Sequence, residues 1–192
     1  GAGGGRGQFQ LVKKIKVHDH SVHAVAVDPD SEVIATASWD GTSKIYNLEK
    51  REVVRSLEQD GGHSMDGLYC VAFGRLNPGI VGCACSDHNL YLWEHGTGRL
   101  LRKLAGHTGE VNGLDFHPSQ NVLCSASDDL KAIVWDFDGG TALRTLGEHT
   151  KPVYGTTFFG SENQYLVATC CFDRETRVFD MRTKNVERSL TG

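Results

Sequence analysis

The chain has 192 residues, 39% of them hydrophobic, with 20 Lys+Arg against 24 Asp+Glu for a formal charge of -4. That length can bury a sizeable core, and charges of both signs scattered along the chain give no electrostatic reason to expect a nucleic-acid backbone or an anionic membrane as partner. No apolar run approaches the roughly 18 residues of a membrane helix, and no secretory signal is visible.

In chain order, GAGGGRG at residues 1–7 comes first. It looks like half of a phosphate-cradling loop, but no strand precedes it and no helix follows. A flexible linker, or a cut inside a longer protein, is the better reading. Residues 8–17 follow as a predicted strand, Phe9 to Val17. From His18 onward one plan is written four times at a period of about 44 residues, a length typical of repeat architectures. The recurring His falls at His18, His63, His107 and His149, and the recurring Asp at Asp40, Asp87, Asp129 and Asp173. The closing aromatic is Tyr46, Trp93, Trp135 and Phe179. Copies one and three align without a gap, placing Val22 over Val111, Pro29 over Pro118 and Ser38 over Ser127.

The third copy shows how one unit folds. Val111, Leu114 and Phe116 lie in a short strand ended by His117-Pro118-Ser119. Asn121 to Ser127 is small and apolar, as a strand covered on both faces should be. Asp128-Asp129 turns the chain, since Asp can bond the backbone two residues on. Lys131 to Phe137 returns, Gly139-Gly140 turns again, and Thr141 to Leu146 forms the outer strand. No stretch carries a helix period over a useful length, so the chain reads as all β.

These residues resemble the WD-repeat family of β-propellers, over Gln8 to Gly192. The resemblance implies four-stranded antiparallel blades at residues 18–62, 63–106, 107–148 and 149–192, with 8–17 as the outer strand of a preceding blade. Copy four supplies its own outer strand, Asn185 to Leu190, so the four blades form an open arc. The last residues, Leu190-Thr191-Gly192, stand where the Gly of a following Gly-His would be. The segment is therefore expected to be part of a seven-bladed ring, completed by the rest of a longer chain or by another chain. The family's internal hydrogen-bond set is implied at His107, Ser127, Asp129 and Trp135. It is expected to be weaker in copies two and four, where Cys85 and Cys171 stand for Ser and Phe179 for Trp. Copy one has Tyr46 in the Trp place.

The His, Asp and Ser together look like a hydrolase triad. The same set recurs in copy after copy, which an active site does not do, so no catalytic residue is assigned. His18, His20 and His23 lie close in sequence, but His18 belongs to the blade set and the other two are read as solvated, so no metal ligand or cofactor is assigned. Cys70, Cys83, Cys85, Cys124, Cys170 and Cys171 include no Cys-x-x-Cys pair. They are read as small buried apolar strand residues in a reducing compartment, cytoplasmic or nuclear.

What remains is surface. The resemblance implies docking on the face that carries the turns between second and third strands. There the residues before the turn Asp are Trp39, Ser86, Asp128 and Phe172, and those beginning the first strands are His23, Tyr69, Asn112 and Tyr154. Trp39, Tyr69, Tyr154 and Phe172 are expected as contact residues, with Asp128 and Glu110 setting charge preference. The expected function is a non-catalytic protein–protein interaction scaffold within a multiprotein assembly. An alternative is a substrate receptor of a cullin-RING ubiquitin ligase, in which Arg182 of Phe179-Asp180-Met181-Arg182 would touch the adaptor, because that tetrad is similar to the Trp-Asp-x-Arg box of such receptors.

Overall fold

A computed structural model describes residues 14–28, 31–59, 66–159 and 165–182, together with the backbone of Val186–Thr191. Sixteen strands form four antiparallel sheets of four strands each, every strand pairing with its neighbour in sequence. Blade 1 holds β1 (Val22–Val27), β2 (Val33–Ser38), β3 (Thr42–Asn47) and β4 (Glu52–Glu58). Blade 2 holds β5 (Leu68–Phe73), β6 (Ile80–Cys85), β7 (Asn89–Glu94) and β8 (Arg99–Ala105). Blade 3 holds β9 (Val111–Phe116), β10 (Val122–Ser127), β11 (Lys131–Asp136) and β12 (Thr141–Gly147). Blade 4 holds β13 (Val153–Phe159), β14 (Leu166–Cys171), β15 (Glu175–Asp180) and β16 (Val186–Thr191). No helix occurs among the described residues, and none is long and apolar enough to cross a membrane.

Both sides of β15 are taken, by β14 and β16. Of the outer strand expected over residues 8–17, residues 8–13 lie outside the described residues and 14–17 are not in a strand. The Gly-rich residues 1–7 and His63 also lie outside them.

A four-stranded sheet covered on both faces needs neighbours, and the blades supply them to each other. The second strands are small and apolar because both faces are covered. Ala35 and Ala37 face blade 2, Ala84 faces blade 3 and Cys124 faces blade 4. Three apolar cores result, each shared between consecutive blades, with Trp93 closing the first, Trp135 the second and Phe179 the third. Each fully buried large side chain stabilises the fold by about 1.5–3 kcal/mol. At its free side, β1 exposes Val25 at 63%, whereas its counterpart in blade 3, Leu114, is 5% exposed against blade 2. At the other end Cys170 is exposed, although Ala126 at the same register in blade 3 is buried. The reading of Cys170 as a buried small residue is thereby corrected: no blade covers that face of β14 among the described residues.

Polar groups tie the blades on the side away from the turn Asp residues. The Asp115 carboxylate accepts from Arg75 Nη2 of blade 2 (3.2 Å), and from Thr157 Oγ1 (2.8 Å) and the Phe158 amide (2.9 Å) of blade 4. One side chain thus joins three blades.

Candidate functional site

The turns between second and third strands are built the same way in the described copies. The turn Asp caps the backbone two residues on: Asp40 Oδ1 accepts from the Thr42 amide, Asp129 Oδ1 from Lys131 and Asp173 Oδ1 from Glu175. Its other oxygen meets the histidine, at 2.8 Å for His18–Asp40, 2.7 Å for His107–Asp129 and 3.0 Å for His149–Asp173. The far ring nitrogen then meets a hydroxyl on the second strand, Thr36 Oγ1 (2.6 Å), Ser125 Oγ (2.7 Å) or Thr169 Oγ1 (2.7 Å). In blade 3 the Trp135 indole donates to the same Ser125 oxygen at 2.8 Å. With Nδ1–H donating to the carboxylate, Nε2 accepts from the hydroxyl, so each buried group is satisfied.

This corrects the expected set. The network hydroxyl of blade 3 is Ser125, not Ser127, and that of blade 1 is Thr36, not Ser38. Ser127 braces the turn instead: it accepts from the Asp129 amide (3.1 Å) and donates to the Gly109 carbonyl (3.0 Å). Ser38 accepts from the Asp40 amide in the same way. Cys171 does both, donating to the Lys151 carbonyl and accepting from the Asp173 amide. A thiol thus fills that role in blade 4, and Cys85 and Cys171 stand at the turn-bracing position rather than at the hydroxyl position that meets the histidine. The aligned hydroxyls Thr36, Ser125 and Thr169 were the signal, since each stands ten residues before its closing aromatic.

Blade 4 is fuller than expected. Arg177 donates to Asp173 Oδ2 (2.7 Å), touches His149 and pairs with Glu175 (2.6 Å). His149, Cys171 and Asp173 are close enough to suggest a metal site, but the Arg177 guanidinium already supplies the positive charge there. Blade 2 departs most. Cys83 occupies the network hydroxyl position, Asp87 accepts from the Tyr91 phenol (2.6 Å), and the buried Trp93 indole N–H has no partner among the described residues. Tyr46 is buried in blade 1.

Electrostatically the turn carboxylates are held ionised. Burial raises the Asp40 pKa, but hydrogen bonds from Thr42 and His18 outweigh it and bring the value down to about 2. Asp129 and Asp173 are lowered for the same reasons, Asp129 through His107 and Asp173 through Arg177 and His149. Burial pushes the thiols of Cys83 and Cys124 well up, and that of Cys85 up to about 12, so these sulfurs stay protonated and inert. Asp–His–Ser geometry does occur at Asp129, His107 and Ser125, yet Ser125 is 0% exposed and already holds the indole. No substrate reaches it.

The outward-facing residues converge elsewhere. Each first strand carries a bulge at its turn-side end, and the residue skipped by the pairing register is His23, Tyr69, Asn112 or Tyr154. A bulge re-aims one side chain out of the pleat, and here four blades use it to send one side chain each toward a common axis. With Glu110 and Asp128, these four residues line a cavity of about 380 Å³. Tyr69 donates to Glu110 Oε2 (2.7 Å), and Asn112 donates to Asp128 Oδ1 (2.7 Å) and to the Val153 carbonyl (3.1 Å). Aromatic rings flank the opening. Trp39 is 44% exposed and stacks on His23 at 5.1 Å, with His20 at 5.5 Å and Tyr69 at 6.1 Å. Phe172, 61% exposed, meets Tyr154 at 4.8 Å. His20 is exposed and at the same time lies tilted against the Trp39 ring. Ser86 belongs to the same turn in blade 2 but is not among the cavity's lining residues. Arg182 lies apart, at the end of β15, where it grips both oxygens of Asp180 and stacks over Tyr165 at 5.0 Å.

The WD domain, G-beta repeat family matches residues 9–47, 98–136 and 140–180, together more than half of the chain. The chain belongs to the WD-repeat family. Among relatives, WD repeat-containing protein 37 of Mus musculus is 39% identical over 82 residues, 43% of this chain and 16% of that protein. The pre-mRNA-splicing factor cwf17 of Schizosaccharomyces pombe is 47% identical over 62 residues, 32% of this chain and 18% of that protein. WD repeat-containing protein 36 of Homo sapiens is 27% identical over 124 residues, 65% of this chain and 13% of that protein. The matches thus span less than a fifth of each of these relatives. Proteins with WD repeats are in general non-catalytic scaffolds that bind protein partners.

Proposed function

We propose that this WD-repeat chain is a non-catalytic scaffold that holds a protein partner on the face bearing the β2–β3, β6–β7, β10–β11 and β14–β15 turns. The observation that carries this is the ring of exposed aromatics, Trp39, Tyr154 and Phe172, around a cavity to which all four blades contribute. Large aromatics left half-exposed in a fold that has room to bury them are the usual anchors of interfaces, each contributing about 2 kcal/mol or more when a partner covers it. The splicing-factor relative supports membership of a multiprotein assembly and a nuclear place of action. The ligase-receptor reading has no comparable support, since Arg182 is turned onto its own Asp180.

The test is quantitative affinity purification of the full-length protein from native extract, unaltered and with Trp39→Ala plus Tyr154→Ala. Specific partners should fall at least 10-fold in the variant, with unchanged thermal stability. If every partner is retained at its original level, this face is not the working surface.

A further inference from the structure

The cavity on this face has a defined chemistry. Its only charged residues are Glu110 and Asp128, and no Lys or Arg is among its lining residues. Each carboxylate already accepts one hydrogen bond through a single oxygen, Glu110 Oε2 from Tyr69 and Asp128 Oδ1 from Asn112. Those bonds fix the side chains while leaving Glu110 Oε1 and Asp128 Oδ2 unengaged by them. Burial, the hydrogen bond to Glu110 and the charges of Glu110 and Asp128 push the Tyr69 phenol up to about 12. Around the charges stand the rings of Tyr69, Tyr154 and His23. The volume, about 380 Å³, is that of a cleft for one side chain or small ligand rather than for a folded surface.

Resting on the reading of this face as a partner surface, we infer that the cavity receives a single arginine side chain from the partner protein. A carboxylate pair with aromatic walls matches a guanidinium in three ways. The planar fork donates to more than one carboxylate oxygen at once. Its faces stack on phenol rings. Its three-carbon stem covers apolar ring surface on the way in. An acidic segment is repelled, and a neutral one leaves two carboxylates desolvated without a counter-charge. Four of the six lining side chains, His23, Tyr69, Asn112 and Tyr154, come from bulged first strands, while Glu110 directly precedes β9 and Asp128 lies in the β10–β11 turn, each held by its hydrogen bond to Tyr69 or Asn112.

The experiment uses the full-length chain and fluorescent heptapeptides with a central Arg, Lys, citrulline or Glu between random neutral flanks, measured by polarisation. Arg-centred peptides are expected to bind at least 10-fold tighter than citrulline-centred ones, and the preference to shrink as salt rises from 50 to 500 mM. Glu110→Gln with Asp128→Asn, each keeping an acceptor for its present donor, should erase the Arg preference. Equal binding of Arg and citrulline by the unaltered protein overturns the inference without need of any variant, as does an Arg preference that survives the double substitution. If Trp39→Ala plus Tyr154→Ala releases the native partners while Arg and citrulline peptides bind alike, the partner face stands and only the arginine assignment falls. If neither variant changes anything, both fall together.

Discussion

Removing the carboxylate of Asp129 leaves His107 Nδ1 and two backbone amides without their acceptor. Asp129→Ala is therefore expected to destabilise the protein by about 1–3 kcal/mol, read from the midpoint of urea unfolding. Asp173→Ala should cost at least as much, because it strips Arg177 as well as His149 of a partner. This reverses the order expected from Phe179 and Cys171 alone. Acid titration tests the same groups. Carboxylates whose pKa is depressed in the folded state contribute stability above their unfolded value near 4, and that contribution is lost as pH falls through the folded value. For Asp40 the window runs from about 4 down to about 2. The Asp40→Asn variant should show a shallower fall in thermal midpoint across that window than the unaltered chain. What the sequence concealed at this scale was which of two hydroxyls completes the set. Ser125 and Ser127 are two residues apart on one strand and so point to one face. Parity cannot separate them; the diagonal reach of the indole across the strand pair does, and its trace in the sequence is the hydroxyl kept ten residues before the closing aromatic at Thr36, Ser125 and Thr169.

The turns after β6, β10 and β14 contain His88, Leu130 and Arg174 with φ of 72°, 71° and 74°, where blade 1 has Gly41 at 79°. A side chain in this left-handed region is strained by about 1–2 kcal/mol, offset in part by the lower chain entropy of a non-glycine residue when unfolded. Leu130→Gly should accordingly stabilise the protein by about 0.5–1 kcal/mol, and Gly41→Ala should destabilise it by about 1 kcal/mol, both by urea unfolding. The strands of the third copy were readable in the sequence almost to the residue, because small apolar second strands, Asp turns and closing aromatics each leave a local mark, whereas residues 14–17, read as part of a strand, are not in one. The bulges were not readable. Their skipped residues are His23, Tyr69, Asn112 and Tyr154, one residue type shared by only two of the four, and a bulge is set by the pairing of two strands rather than by either one. The face they serve was legible only through the family resemblance. Gly67 gives an independent probe of it: a Cβ there would lie 2.5 Å from the Trp39 ring. Gly67→Ala should displace that indole, visible as a shift in Trp fluorescence, and weaken partner capture as Trp39→Ala does.

At the scale of the whole chain, the turn-side ends of the first strands meet at the cavity, while one flank of β1 is uncovered among the described residues. Val22, Val25 and Val27 are all at least half exposed, an apolar strip that invites association. Light scattering at tens of micromolar protein should show self-association that Val25→Lys plus Val27→Lys reduces, with no loss of thermal stability because neither side chain is buried.

The three cores between four blades also set an order of events in time. Blades 2 and 3 each share two cores, whereas blades 1 and 4 share one apiece. In a linear array whose units are held by their neighbours, opening proceeds from the ends inward. In the 192-residue segment taken by itself, deuterium uptake should therefore be fastest in the strands of blades 1 and 4 and slowest in β6, β7, β10 and β11. The bulged side chains of Tyr69 and Asn112 come from those slow interior blades, and those of His23 and Tyr154 from the breathing ends. One half of the cavity wall is thus held fixed on the timescale on which the other half opens, so a ligand seated among them should slow exchange chiefly at the two termini of the array.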